Sequence, residues 1–184
     1  MNDMGFDYLT GEVSEPTSYT PPPIGRYRAR VVKAEFVDPV AMKWEPSDDS
    51  LSEEEREEFN RPFPRLRWQL EALENGDPTE YAGRIVDQRI SLRSGTNPKT
   101  GRSFAEQRAD VLRLANGLGA KDEVTGLKLI DVNINGLDRE EAVAAATSAL
   151  TKYEGMVGVV RIIHIKNKRS GEMRESVGKI VLPG

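Results

Sequence analysis

A period-two alternation of apolar and polar residues opens the folded part of the chain. In the first half of residues 25–38, apolar and arginine residues alternate, and the apolar ones are Tyr27, Ala29 and Val31. This period is typical of a half-buried β-strand. The apolar positions then move by one residue, to Val32, Ala34 and Phe36. Such a phase shift predicts a β-bulge, which bends a strand around the corner of a barrel.

Two further alternating runs predict a second and a third strand. The second, at about residues 65–73, has one apolar face made of Leu66, Trp68, Leu70 and Ala72. The third, residues 83–93, has a matching face made of Val86, Gln88, Ile90 and Leu92. A polar turn at residues 75–78 joins them. Their opposite faces carry a predicted basic stripe formed by Arg65, Arg67, Arg89 and Arg93.

The C-terminal region predicts a β-hairpin from Gly155 to Leu182. Residues 156–165 are rich in Val and Ile, whose branched side chains suit a pleated sheet. Polar residues 167–171 form a turn with a glycine, and a second β-prone run occupies residues 176–182. The basic side chains at this tip are Lys166, Lys168, Arg169 and Arg174.

Three segments predict helices. Residues 103–116 begin with Ser103 and Glu106 in capping-box positions and end before Gly117, and a second helix begins at Asp138. Residues 45–60 are strongly acidic, and Ser52 with a glutamate three residues later predicts a short exposed helix there. Residues 127–134 suit either a short extra strand or an extended cover.

The predicted order of elements is β-β-β-α-β-β, with the acidic helix inserted between strands one and two. This order indicates a mainly β fold with inserted helices, a five-stranded Greek-key barrel of the OB type. An α+β sheet with helices on one face is the alternative. We assign residues 24–184 to one such domain. Residues 1–23 are predicted to be a flexible tail, because they are acidic, rich in proline and free of Lys and Arg.

Composition excludes several kinds of site. The 184 residues include no cysteine and one histidine, His164, which leaves no material for disulfides, thiolate zinc sites or a Ser-His-Asp triad. No apolar run approaches the ~20 residues of a membrane-spanning helix, so we expect a cytoplasmic protein.

The net charge of -4 is unevenly distributed. Residues 1–59 are strongly acidic, whereas residues 60–184 are mildly basic, as expected for a polyanion-binding body, although ordinary surface solvation gives the same pattern.

No catalytic constellation is recognisable. The segment GTNPKTGRS, residues 95–103, resembles a phosphate-binding loop but has five residues between its glycines and Arg102 in place of the lysine. Carboxylates such as Asp87 stand alone near arginines, where an ion pair is the usual role. We therefore predict a non-enzymatic protein without metal or cofactor.

A basic β-surface with nearby aromatic rings is typical of proteins that bind single-stranded nucleic acids. The aromatic candidates are Trp44, Phe59, Phe63 and Tyr81, and we select Trp44 as the stacking residue because it has the weakest case for a core position. The predicted nucleic-acid-binding residues are Trp44, Arg65, Arg67, Arg89, Arg93, Lys166, Lys168, Arg169 and Arg174.

Four segments together resemble the OB-fold single-stranded DNA-binding proteins of bacteriophages: PPPIGRYRARVVKAEF, YAGRIVDQRISL, RADVLRLANGLGA and YEGMVGVVRIIHIKNKRSGEMRESVGKIVL. The resemblance covers roughly residues 20–183. It implies sequence-independent binding of single-stranded DNA during phage replication or recombination, in the host cytoplasm. In that family an acidic tail, usually C-terminal, contacts replication or recombination proteins. Here the acids are N-terminal, and the N-terminal segment is the candidate contact. A phage structural or assembly protein that uses the barrel for protein contacts is the alternative.

Overall fold

A computed structural model describes residues 20–46, 48–98, 100–167 and 170–184. Its strands are β1 (Gly25–Val37), β2 (Phe63–Leu73), β3 (Ile85–Arg89), β4 (Val157–Lys166) and β5 (Met173–Val181). Its helices are α1 (Glu53–Asn60), α2 (Phe104–Ala115) and α3 (Arg139–Leu150), followed by a 3₁₀ turn at Thr151–Tyr153. The mainly β character with inserted helices is confirmed.

The five strands form one antiparallel sheet in the order β3-β2-β1-β4-β5. The predicted C-terminal hairpin is its β4–β5 edge. The sheet is open, because no strand pairing between the described residues links β3 to β5. The two edges nevertheless approach each other, and Ser176 Oγ donates a hydrogen bond to the carbonyl oxygen of Asp87 at 3.4 Å. The sheet therefore curves until its first and last strands are neighbours.

The long central strand β1 is irregular where the sequence predicted a bulge. Its register with β2 shifts between Val31 and Lys33, and again between Arg28 and Ala29. The predicted apolar set beyond the bulge is partly wrong. Val32 is 41% exposed, because it is the bulged residue itself, and the buried positions there are Ala34 and Val37.

Helix α3 completes the hydrogen bonding of β1 beyond the bulge. Strand β4 pairs with β1 only at Gly25–Arg30, so the later amides of β1 need other acceptors. The amide of Phe36 donates to Thr147 Oγ1 on α3 at 3.0 Å, and the amide of Ala34 donates to Glu154 Oε1 at 3.2 Å. Side chains from α3 and the turn after it thus replace a neighbouring strand.

We expect Thr147→Val to lower the free energy of unfolding by about 1 kcal/mol, because valine keeps the shape of threonine but leaves the Phe36 amide without its acceptor. Urea denaturation followed by circular dichroism measures this change. Ser148→Ala, at an exposed position of the same helix, is the control and should change stability by less than about 0.5 kcal/mol. Equal stability of the two variants would contradict this role for Thr147.

The core lies on the inner face of the sheet, under α2 and α3. The predicted apolar faces of strands two and three supply much of it, with Trp68 fully buried and its indole Nε1 donating to Gln88 Oε1 at 2.9 Å. Strand β3 is shorter than predicted, and Leu92, placed by alternation on the buried face, is 51% exposed because it lies beyond the strand.

Residues 127–134 form the extended cover rather than the extra strand, since the structure assigns no strand to them. Leu129 is buried there, and its carbonyl oxygen accepts a hydrogen bond from the Tyr153 hydroxyl. Burial raises the pKa of Tyr153 to about 12. This hydrogen bond connects the loop between α2 and α3 to the 3₁₀ turn that precedes β4.

The last residues of the predicted tail pack on the sheet. Pro22 is buried, and its carbonyl oxygen lies 2.7 Å from His164 Nε2 on β4. Tyr27 donates a hydrogen bond to the Pro23 carbonyl oxygen at 2.9 Å. His164 is thus a half-buried sheet residue that binds backbone. The rest of the predicted tail, residues 1–19, lies outside the described residues.

Candidate nucleic-acid interface

A groove of about 440 Å³ opens between α1, the loop from β3 to α2, and the β4–β5 hairpin. These three elements meet because the sheet curves until β3 and β5 are neighbours. Ile163 and Ile165 of β4 supply an apolar side of the groove. Its charged and aromatic side chains are Arg89, Arg93, Arg102, Glu55, Glu58, Phe59 and the buried Phe104.

Two predicted site residues, Arg89 and Arg93, are held in this groove by aromatic rings. The guanidinium carbon of Arg89 lies 3.9 Å from the ring centroid of Phe63, and that of Arg93 lies 4.6 Å from the centroid of Phe104. Both rings are buried. A ring contacts the face of a guanidinium and leaves its N–H edge available for hydrogen bonds. Within the described residues, neither guanidinium forms an ion pair with a carboxylate.

The electrostatics of Arg89 reflect this position. Desolvation in the groove lowers the pKa of Arg89, the neighbouring charge of Arg93 lowers it further, and Glu58 on α1 acts in the opposite direction. Two like charges held side by side favour a bound anion, because an anion relieves their repulsion. Of the predicted residues, Arg89 and Arg93 are therefore the best placed to receive an anion in the groove.

Arg65 and Arg67 occupy the same sheet face as Arg89 but are engaged by acids. Arg65 bonds to Glu35, which faces it across the β1–β2 pair, and Arg65 Nη1 lies 3.6 Å from Asp87 Oδ2. Arg67 Nε lies 3.1 Å from Asp87 Oδ1. Burial raises the pKa of Glu35, but hydrogen bonds from Arg65 and Lys33 outweigh this and lower it. Asp87 is the ion-pair partner that the sequence indicated.

The hairpin tip is described in part. Lys166 is exposed at the end of β4, and Arg174 is exposed on β5 with its Nη2 3.5 Å from Glu172 Oε2. Lys168 and Arg169 lie outside the described residues. Neither Lys166 nor Arg174 lines the groove.

Trp44 lines a second cavity of about 460 Å³, next to the basic groove. Trp44 is 38% exposed, and its ring centroid is 6.3 Å from that of Phe63. Phe59 on α1 lines both cavities. Of the two phenylalanines that line the basic groove, Phe104 is buried and Phe59 is half-buried, and Phe59 was among the candidates but was not chosen from the sequence. Tyr81, another candidate, packs against the core.

Arg102 lines the groove although it was not among the predicted binding residues. It lies just before the N-cap Ser103 of α2, and its Nη2 is 2.7 Å from Oδ2 of Asp110, eight residues later in that helix. Asp110 is buried and also lies 3.5 Å from Arg113 Nη1. The signal in the sequence is the acid itself, since an aspartate beside Val111 and Leu112 on an apolar helix stripe requires a cationic partner. The predicted capping box of α2 is half formed, because Glu106 turns toward Arg102 at 3.7 Å.

The described residues contain no group of three or more His, Asp or Glu side chains arranged to hold a metal ion. Over the same part of the chain, no helix is long and apolar enough to cross a membrane. The groove is thus a surface of cations, aromatic rings and two carboxylates. The chain has no match among protein-family models and none among curated proteins.

Proposed function

We propose that this chain is a non-enzymatic protein that binds single-stranded DNA in the groove between α1 and α2. The observation that carries the proposal is the pair of ring-supported guanidinium groups, Arg89 and Arg93, beside the accessible ring of Phe59. Single-strand binders combine cations that follow the backbone with aromatic rings on which bases stack. The groove provides both within one cavity.

The sheet order supports an OB-type barrel as the scaffold. In that fold β1 lies between β2 and β4, a helix follows β3, and the loops after β1 and β4 flank the binding face. The order β3-β2-β1-β4-β5 and the position of the groove agree with this arrangement. We further propose the role that the family resemblance implies: DNA replication or recombination of a bacteriophage in the host cytoplasm, with the acidic N-terminal segment contacting partner proteins.

The proposed mechanism assigns phosphates to one side of the groove and a base to the other. Arg89 and Arg93 donate charge-assisted hydrogen bonds to the phosphates, whereas Arg102, which is paired with Asp110, shapes the wall beside them. Phe59 stacks on a base. Arg65 and Arg67 contribute little to binding, because their carboxylate partners neutralise them.

Titration of the purified chain with fluorescent oligothymidylate at several salt concentrations tests the proposal. We expect binding at ~20 mM salt that weakens steeply towards ~200 mM, because each neutralised phosphate adds about −0.7 to the slope of log affinity against log salt. Absence of binding at ~20 mM salt, where the phosphate contribution is largest, would refute it.

A second candidate function is the assembly of protein complexes. It is favoured by three exposed apolar side chains close together in the loop after β1: Val40, Met42 and Trp44 are 52%, 56% and 38% exposed. Exposed apolar clusters commonly mark protein contacts. A chain that fails to bind oligothymidylate but forms a complex lost on substitution of Met42 by Ser would favour this candidate.

We expect Phe59→Ala to weaken DNA binding by about 1–3 kcal/mol, the usual loss for one stacking ring. The salt dependence should stay nearly the same, because stacking releases few counterions. Trp44→Ala is the matched control: it removes an aromatic ring that lines the neighbouring cavity and not the basic groove, so its effect should be smaller. A larger loss for Trp44→Ala would restore Trp44 as the stacking residue.

A further inference from the structure

We infer that helix α1 selects single strands over duplex DNA, through the carboxylates of Glu55 and Glu58 on its groove side. The inference rests on the proposed function and adds the residues that decide which form of nucleic acid the groove accepts. The sequence indicated a solvated acidic helix, but the structure places three of its side chains, Glu55, Glu58 and Phe59, in the lining of the groove.

The groove has walls of opposite charge. Arg89, Arg93 and Arg102 come from β3 and the loop leading to α2, whereas Glu55 and Glu58 come from α1. The field of Glu58 reaches Arg89 and acts on its pKa. A polyanion that enters this groove therefore meets attraction on one side and repulsion on the other.

The chemistry of a single strand fits such a groove, and that of a duplex does not. A single strand has phosphates along one edge and bases along the other, so its phosphates can face the arginines while its bases face α1. Amino groups of the bases can donate hydrogen bonds to carboxylates. A duplex carries phosphates on both strands, and entering the groove would bring the second backbone against Glu55 and Glu58. Like charges so placed are strongly unfavourable.

Several contacts fix the position of α1. Glu55 and Ser52 form a reciprocal capping box, in which the Ser52 amide donates to Glu55 Oε2 at 2.7 Å and the Glu55 amide donates to Ser52 Oγ at 3.2 Å. Glu58 Oε2 lies 3.1 Å from Arg61 Nη1 in an exposed pair that solvent screens, and the charge of Glu58 still acts on Arg89. At the end of the helix, Arg139 binds the Asn60 carbonyl oxygen and both carboxylate oxygens of Asp38. The acidic wall is therefore attached to α3 and to the end of β1.

The test compares two double variants of the same helix. E55Q/E58Q removes the two carboxylates that line the groove, and E53Q/E57Q removes two exposed carboxylates of α1 that do not. Both change the net charge equally, and glutamine retains the capping-box hydrogen bond at position 55. Affinities are measured at one salt concentration for a fluorescent single strand of about 16 nucleotides and for the duplex of the same length.

We expect the wild type to prefer the single strand. E55Q/E58Q should raise duplex affinity about tenfold and single-strand affinity much less, since two repulsive charges at close range are removed from the second backbone. E53Q/E57Q should raise both affinities by similar small factors. If the two variants change both affinities alike, or if the wild type binds both forms equally, α1 is not the selecting element, although binding of DNA stands. If the wild type binds neither form, the proposed function fails as well.

Discussion

Replacing Arg89 and Arg93 together by alanine is expected to weaken single-stranded DNA binding about 100-fold at low salt, because each lost charge-assisted hydrogen bond contributes at least about 1.5 kcal/mol. The loss should be the same for all base sequences, since phosphates carry no sequence information. The slope of log affinity against log salt should become shallower by roughly 1.4, if each arginine neutralises one phosphate. Fluorescence anisotropy at four or five salt concentrations measures both quantities.

The matched control is the double replacement of Arg65 and Arg67, which removes the same charge from the same sheet face. We expect a loss of only a few fold and little change in slope, because Glu35 and Asp87 already engage these guanidinium groups. Thermal melts of both variants verify that the titrations are done on folded protein. Equal losses in the two double variants would show that the general field of the sheet, rather than the ring-supported pair, binds DNA.

Trp68→Ala is expected to lower the free energy of unfolding by about 3–5 kcal/mol, the usual range for removing a large aromatic side chain from a core. Trp68 is completely buried on β2, and its loss also removes the hydrogen-bond partner of the buried Gln88 side chain. An orphaned buried amide adds to the cost of the cavity. Urea denaturation followed by far-ultraviolet circular dichroism measures the change.

The other tryptophan provides the comparison. Trp44 is 38% exposed in the loop after β1, so Trp44→Ala should lower stability by less than about 1 kcal/mol. A loss as large as that of Trp68→Ala would mean that the loop between β1 and α1 is part of the cooperative core. Each variant retains one tryptophan. The fluorescence of Trp44→Ala therefore reports on the core, and that of Trp68→Ala reports on the loop.

The strands and helices were largely determined by local sequence. Alternation places Leu66, Trp68 and Leu70 on the buried face of β2 because successive side chains of a strand point to opposite sides. The capping boxes at Ser52 and Asp138 start α1 and α3 where the sequence predicted them, because the cap satisfies backbone amides within one turn. These effects act over a few neighbouring residues, so the sequence alone predicts them. The limits of β3 could not be predicted in this way, because its pairing partner β2 determines where it ends.

The choice among basic residues was decided by tertiary structure. The sequence treats Arg65, Arg67 and Arg89 as equivalent members of one stripe. Strand register then places Glu35 opposite Arg65 and Asp87 opposite Arg67, whereas the side chain of Arg89 rests on Phe63.

Packing likewise brought Phe59 rather than Trp44 into the groove, and it joined Arg102 to an aspartate eight residues away. Local sequence determines which face of an element a side chain occupies. Whether a charge on that face is free depends on which residues other strands and helices bring within ion-pair distance, and only the assembled sheet sets those distances.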